Sequence, residues 1–579
     1  MIIEKHPNPQ FSRENFTLLD GVWNFACGKE TEGIEWKKIL VPYCPESKKS
    51  GLAIQDKIYD CVYEREIEVQ NLLEGERVVL HFGAVDYEAT VLVNGKKMGF
   101  HRGGYAHFEV DATSALVEGK NKITVLVHDD ERENIPKGKQ TDTEPHGCFY
   151  TPVTGIWQSV WMERTPNHYV TSLKFYPSVK EKKVDVEVKT EGEEPIKIQV
   201  FYEGRQVGVA EGVVNFCEHF EIPLKETHLW EIGKGRLYEV QITFGKDVVH
   251  SYFGLRSTEF SGKKYLLNGK NVFQRLVLDQ GYYPDGIYTG TEEEWQSDLN
   301  LSIRLGFNGS RLHQKVFEPK YLYLCDKMGY MVWGEYPNWG VDFFNLNALG
   351  AMLDEWREVV ELHFNHPSIV VWCPLNETWN HLKMAEKHRD VRLVETIYAF
   401  TKILDSTRPC VDVSGGHHGR YTDCFDFHCY YPSDRLKSAL ADLEERGELT
   451  MEFIYPDEKV KNFEKIALEE GQPTQISEYG GVRLGEGEGW GYEVQPTEEK
   501  FVEEYTKQTA SILACKKISG FCYTQLYDVE QEENGLVKYD RTPKLSEKAM
   551  DEIAKINRAP SAIERENKKK ISFYISLKQ

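Results

Sequence analysis

Short runs in which apolar and polar positions alternate recur along residues 1–165, as in Val78–Phe82, Ala89–Val93 and Lys122–Val127. A period of two buries one face of a strand and wets the other, so these runs predict β-strands. Asn94 and Gly95 stand between two of them and mark a hairpin, because both central positions of the tight turn need positive φ. The segment reads as an N-terminal, jelly-roll-like β-sandwich. Residues 166–258 continue in short strands: Thr171–Phe175, Val184–Val188, Lys197–Tyr202 and Tyr238–Phe244. Roughly seven strands in about 90 residues fit an immunoglobulin-like β-sandwich. From residue 259 the rhythm changes, and helical patterns such as Glu293–Leu305 and Ala351–His363 alternate with short apolar runs. That alternation predicts βα units on a parallel sheet. Eight strand candidates follow: Val272–Gln280, Gly306–Gln314, Tyr330–Tyr336, Ile369–Glu377, Cys410–Ser414, Phe425–Tyr431, Thr474–Tyr479 and Gly520–Tyr527. Eight units over residues 259–558 predict a (β/α)8 TIM barrel, giving a multidomain β plus α/β chain. Residues 559–579, with Lys568, Lys569 and Lys570, form a C-terminal tail without an assigned role.

Two of the barrel runs share a grammar. Ile369–Cys373 is a continuous apolar stretch, as a buried strand requires, and it delivers Asn376 and Glu377 just beyond its carboxyl end. Thr474–Gly481 is a second short strand that carries Glu478. In a parallel barrel the carboxyl ends of the strands form the active face. Two carboxylates there suit glycoside hydrolysis, in which one protonates the leaving oxygen and the other attacks the sugar carbon. The competing reading makes each acid a salt-bridge partner or a neighbour of a helix cap.

The chain has 579 residues, a length that accommodates about three or four domains. Lys+Arg is 70 against Asp+Glu 92, a net charge of −22, which argues against nucleic-acid and anionic-membrane partners. No apolar run reaches the roughly 18 residues that span a bilayer. The N-terminus lacks the apolar core of a signal peptide. The 12 cysteines are scattered without a Cys-x-x-Cys pair, and Cys424 and Cys429 lack metal-ligand spacing. These features predict free thiols and a cytoplasmic location. The loop from Arg132 to His146 is long and polar enough to reach from the sandwich towards the barrel mouth.

Taken in order, His6–Phe11, Leu19–Trp23, Val41–Ser47, Phe82–Tyr87, Val93–Gly95, His101–Tyr105, Thr154–Trp161, Leu267–Lys270, Gly306–His313, Leu324–Glu335, Asn376-Glu377 and Glu478–Gly481 resemble glycoside hydrolase family 2. That group holds β-galactosidases, β-glucuronidases and β-mannosidases, and the resemblance covers about residues 7–558. It implies a retaining double displacement with Glu377 as acid/base and Glu478 as nucleophile. Carboxyl groups in such a site lie about 5–5.5 Å apart, too close for both to ionise easily. The resemblance further implies that Asn376 bonds the sugar 2-hydroxyl and that Tyr430 donates to the nucleophile. Arg311, His313, Glu335, His428 and Gln525, all at strand ends, would line the sugar pocket or support it from behind. Trp333 reads as core. Strand eight presents no tryptophan, so Tyr523 or Tyr527 stands in, and Asp528 joins Gln525 at the mouth.

Departures from the family pattern bear on the sugar. After the first strand, Asp279 and Gln280 replace the His/Glu-rich segment of large β-galactosidases; they would bind sugar hydroxyls, and no magnesium site is expected. Family glucuronidases carry an Asn-x-Lys pair after strand eight, whereas this chain has Glu532, Glu533, Asn534 and Gly535 there. Two acids would repel a uronate carboxylate. Lys315 and Arg483 remain as an alternative grip. The leading expectation is therefore an exo-acting, β-galactosidase-like enzyme on small β-glycosides, without cofactor or metal and compatible with a homo-oligomer. A β-uronidase acting on glucuronides or galacturonides is the alternative within the class. The rival of another class is a non-catalytic carbohydrate-binding protein. A metal-dependent hydrolase is disfavoured, because the tandem His417 and His418 would point to opposite faces of a strand.

Overall fold

Asn94 and Gly95 take φ values of 51° and 78° and join the antiparallel strands Glu88–Val93 and Lys96–Arg102, as the hairpin signal predicts. The computed structural model describes residues 2–29, 33, 35–72, 74–130, 132–342, 346–378, 391–416, 418–454, 461–468, 471–485 and 487–565, with backbone alone for 346, 391, 450–454 and 461–467. His417 and the lysines of the tail lie outside the described residues. The hairpin belongs to a six-stranded sheet that faces a four-stranded one, and the two close over a core that includes Trp23, Phe25, Tyr63 and Val91.

The next sheet has five strands where the sequence suggests about seven. Lys183–Tyr202 and Arg205–Pro223 are long single strands, and the register shift between Lys189 and Glu193 replaces a chain break. Asp326 in the barrel ties this sheet down. It accepts from Tyr252 Oη and Ser368 N at 2.8 Å each, and its backbone oxygen accepts from Trp230 Nε1 at 2.8 Å.

Seven parallel strands form the barrel wall: Ile369–Cys373, Met331–Glu335, Gly309–Leu312, Gln274–Asp279, Ile518–Thr524, Thr474–Gly480 and Phe425–Cys429, in that spatial order. The fifth expected strand, 410–414, is present only as bridges from Cys410 to Trp372 and from Ser414 to Asn376. It nevertheless fills the gap between strands four and six, since Ser414 O accepts from Glu377 N at 2.8 Å and Gly415 N donates to Asp426 at 3.0 Å. The helices form where caps and periodicity agree. Thr291 and Glu294 make a reciprocal capping box at the start of Glu292–Arg304. Leu346–His363 extends the helix expected from Ala351. Among the described residues no helix is long and apolar enough to cross a membrane.

The first sandwich packs onto the barrel through one continuous apolar cluster. Tyr105, Tyr150 and Trp157 are fully buried in it beside Tyr282, Tyr288 and Phe317. Each such side chain contributes about 1.5–3 kcal/mol of burial. The long polar loop reaches the barrel as expected. Lys137 N donates to Trp339 O at 2.9 Å and Gly138 N to Pro337 O at 3.2 Å. Gly138 takes φ +59°, and a Cβ there would sit 2.3 Å from Gln314 O, so only glycine permits this approach.

Candidate active site

Strand four ends at Cys373, and the chain then turns so that Glu377 adopts φ 40°, an uncommon conformation for a residue with a Cβ. Asn338 clamps the turn from strand three's loop, donating to Asn376 O at 3.1 Å and accepting from Asn376 N at 2.9 Å. Trp339 Nε1 adds a bond to Asn376 O at 3.2 Å. Asn376 Oδ1 accepts from Arg311 at 3.1 Å, and its Nδ2 is buried without a partner among the described residues.

Glu478 stands on strand seven opposite this turn. Its Oε1 accepts from Arg311 Nη1 at 3.0 Å, and its Oε2 accepts a short bond from Tyr430 Oη. Burial, reinforced by Glu478, holds the Tyr430 hydroxyl far above its ordinary range, so it stays a phenol and donates. His428 sits between the acids, with Nδ1 2.5 Å from Glu377 Oε1 and 3.4 Å from Glu478 Oε2. One ligand atom from each of these three residues falls within 4.8 Å of the others. Burial alone would push the His428 imidazolium down, but Glu478 and Glu377 outweigh it and raise the affinity for the proton. Ser414 Oγ lies 3.0 Å from His428 Nε2 and donates to Ser477 Oγ at 3.0 Å, which orients the ring.

Behind Glu478 lies a sealed charge network. Arg311 is fully buried and donates to Glu335 at 2.5 Å and to Ser477 O at 2.6 Å, besides its bonds to Glu478 and Asn376. His313 Nδ1 is 3.0 Å from the other oxygen of Glu335. Burial, with Lys139 next, drives His313 well below its ordinary range, so it is neutral. Burial pushes the Glu335 carboxyl up, and Arg311 opposes that shift. These three residues hold one another, and Arg311 holds Glu478 and Asn376.

Several expected pocket residues are committed elsewhere. Asp279 does not face a sugar: its oxygens accept from Tyr321 at 3.0 Å, from Gly281 N at 3.0 Å and from Tyr527. Gln280 donates to Gln525 at 2.9 Å, Gln525 donates to Asn534 at 2.8 Å, and Gln280 Oε1 is left buried without a partner among the described residues. Asp528 pairs with Lys544 at 2.5 Å. Lys315 cannot grip a substrate, because its ammonium donates to Gly281 O at 2.9 Å and Tyr288 O at 2.6 Å inside a ring of Trp157, Tyr283, Tyr288 and Phe317. Arg483 bonds Glu533 at 3.2 Å. Tyr523 packs in the wall against Tyr479 and Tyr505, and Tyr527 is bound to Asp279, so neither stands in for the missing tryptophan. Trp333 is core, as expected, with its Nε1 bonded to Gln274 at 3.0 Å.

The aromatic rim comes from residues the sequence did not single out. Tyr492 stacks on Tyr430 with ring centres 3.5 Å apart, and Trp490 packs edge-on against Tyr492. Trp339 follows strand three by four residues, a spacing that a closer reading of that strand's loop would have marked.

Three family models match the chain in succession. The one described as the family 2 glycosyl hydrolase sugar binding domain matches residues 51–166. That described as glycosyl hydrolases family 2 matches 168–256, and the family 2 TIM barrel domain matches 261–556. The β-glucuronidase of Mus musculus is 27% identical over 467 residues, 71% of this chain and 70% of that protein. The β-glucuronidase of Homo sapiens is 27% identical over 486 residues, 74% of this chain and 73% of that protein. Among solved structures, a β-glucuronidase of an uncultured Clostridium shares the fold with a TM-score of 0.77 at 22% identity, covering 94% of this chain and 98% of its own. A family 2 β-galacturonidase of Eisenbergiella tayi, bound to galacturonate, aligns with a TM-score of 0.76 at 21% identity, covering 95% and 98%.

Proposed function

The chain belongs to glycosyl hydrolase family 2, and from that premise we propose that it is a retaining β-uronidase, releasing terminal glucuronic or galacturonic acid from β-glycosides. The enzyme is a glycoside hydrolase; the choice of sugar departs from the galactosidase-like expectation. It is supported by the relatives, which are named β-glucuronidases, and by a structural neighbour named a β-galacturonidase. The observation that carries the mechanism is the closeness of Glu377 and Glu478, whose ligand atoms lie within 4.8 Å with His428 between them. That closeness suits direct attack and leaves no room for a water between sugar and nucleophile.

Glu478 attacks the anomeric carbon while Glu377 protonates the leaving oxygen, and a covalent glycosyl-enzyme forms. Water then enters, Glu377 takes its proton, and the sugar leaves with retained configuration. Arg311 and Tyr430 each give Glu478 one hydrogen bond, which aims the carboxylate. His428 Nδ1, 2.5 Å from Glu377 Oε1, is placed to exchange a proton with it. The Nδ2 of Asn376, without a partner among the described residues, is suited to the sugar 2-hydroxyl, a bond that strengthens in the transition state.

A second reading, hydrolysis of a neutral β-galactoside, is favoured by the buried carboxylate of Glu532 where a uronate grip would be expected. Release of nitrophenol from a panel of β-glycosides decides between them: glucuronide, galacturonide, galactoside, glucoside, mannoside and xyloside. Selective turnover of a uronide is the expected result. Selective turnover of the galactoside would replace the uronidase reading, and silence across the panel would favour a binding protein.

A further inference from the structure

The proposed substrate carries a carboxylate, and among the described residues four barrel cations that could meet it are already engaged. Arg311 holds four acceptors, Lys315 is sealed at the sandwich interface, Lys544 pairs with Asp528 and Arg483 bonds Glu533. One cation near the site differs. Lys139 lies in the sandwich loop and is only 6% exposed, and among the described residues its ammonium faces the rings of Tyr150 and Trp339, each 5.6 Å from the ring centre, and a single carboxylate. Its nearest carboxylate oxygen, Oε2 of Glu532, is 4.0 Å away, beyond hydrogen-bond reach. Glu532 is itself held by Tyr150 Oη and by Asn534 Nδ2 at 3.0 Å. A buried ammonium paired this loosely is stabilised by any acceptor that a ligand brings within hydrogen-bond reach.

The position of Lys139 is fixed from both sides. Gly138 is pinned to Pro337, Lys139 O accepts from Tyr150 N at 2.8 Å, and Gln140 donates to Asp86 at 2.8 Å and to Tyr105 at 3.1 Å. The ammonium stands 5.6 Å from the ring centre of Trp339, the residue that bonds Asn376 O and lies 6.5 Å from the His313 ring. Lys139 therefore borders the sugar-facing groups. Burial would push its proton off, but Glu532, Cys148, Glu478 and Glu377 outweigh burial and keep it charged.

Resting on the uronidase reading, we propose that Lys139 binds the uronate carboxylate, so that the specificity cation comes from the sandwich loop rather than from the barrel. Glu532 then acts as the anion that holds Lys139 in place and competes with the substrate for it.

The test compares a nitrophenyl β-uronide with its uncharged methyl ester in the wild type, Lys139→Gln, Lys139→Arg and Glu532→Gln. Hydrogen bonds to charged groups predict that Lys139→Gln lowers the acid-to-ester ratio of kcat/KM by about 10- to 100-fold, chiefly through KM. Lys139→Arg should restore most of the ratio, and Glu532→Gln should raise it. An unchanged ratio in Lys139→Gln, with the wild type cleaving the uronide, overturns the inference and leaves the function standing. If the Gln variant cleaves neither substrate, an unchanged ratio in Glu532→Gln overturns it instead. A wild type that cleaves no uronide removes the functional reading first, and the inference with it.

Discussion

Replacing Arg311 with lysine keeps a positive charge in the floor of the site and removes the planar fork that distributes it. The guanidinium reaches Glu335, Ser477 O, Glu478 and Asn376 at 2.5, 2.6, 3.0 and 3.1 Å. These acceptors lie in different directions, and a single ammonium can satisfy about two of them. Each lost bond to a charged or buried partner costs about 1.5–3 kcal/mol, so the variant should lose about 3–5 kcal/mol of barrel stability. Glu478 and the Asn376–Glu377 turn would also lose their common anchor. A displacement near 1 Å at reacting groups costs about 100-fold in rate. The expected result is a fall in kcat of about 100-fold or more on the preferred nitrophenyl glycoside, with KM changed much less and a lower temperature for barrel unfolding. A lysine variant within about threefold of the wild-type kcat would refute the view that Arg311 aligns the two acids.

Other outcomes follow from the same geometry. Glu377→Ala should lose about 100- to 10,000-fold on substrates with poor leaving groups, and azide should restore turnover of a dinitrophenyl glycoside as the β-glycosyl azide; the β-azide from Glu478→Ala, with the α-azide from Glu377→Ala, would reverse the two roles. Glu355, bonded at 2.6 Å to both Tyr105 N and Tyr336 Oη, is pushed by burial from its ordinary 4.5 up to about 7. Between those values the folded state keeps a proton that the unfolded chain has lost, so stability falls by about 3 kcal/mol as pH rises from 4.5 to 7. Glu355→Gln, with His101 and Glu358 still beside it, should flatten that part of the pH profile of thermal unfolding; equal slopes in both proteins would count against the assignment. The spacing of Glu377, His428 and Glu478 would also suit a metal ion, but Arg311 and Tyr430 already occupy Glu478, so dialysis against a chelator should leave turnover unchanged. Loss that a divalent cation restores would contradict this.

What the chain discloses locally and what it withholds differ for physical reasons. Ile369–Cys373 and Thr474–Gly480 were legible because burial on both faces of a barrel strand demands an unbroken apolar run, and a polar residue at its end stands out. Residues 410–414 were harder to assign, since a segment that closes the barrel through two bridges needs little regular pairing. The role of Asp279 was hidden because Tyr321 and Tyr527, which occupy its oxygens, come from a helix and a loop far away in sequence. Lys139 was inside a loop expected to reach the mouth, yet nothing periodic ties it to acids more than two hundred positions later. Only the docking of the sandwich brings it beside Trp339.

The glycine at 138 has a bearing on how such an enzyme can diversify. Because the loop is latched under Gln314 O and Pro337, residue 139 is held as firmly as a barrel residue although it belongs to another unit. On the proposal that Lys139 selects the uronate, bond cleavage and choice of sugar reside on separately mutable parts of the gene. On the same proposal, codon changes in the sandwich loop would alter the preferred sugar and leave the charge network under Glu478 untouched.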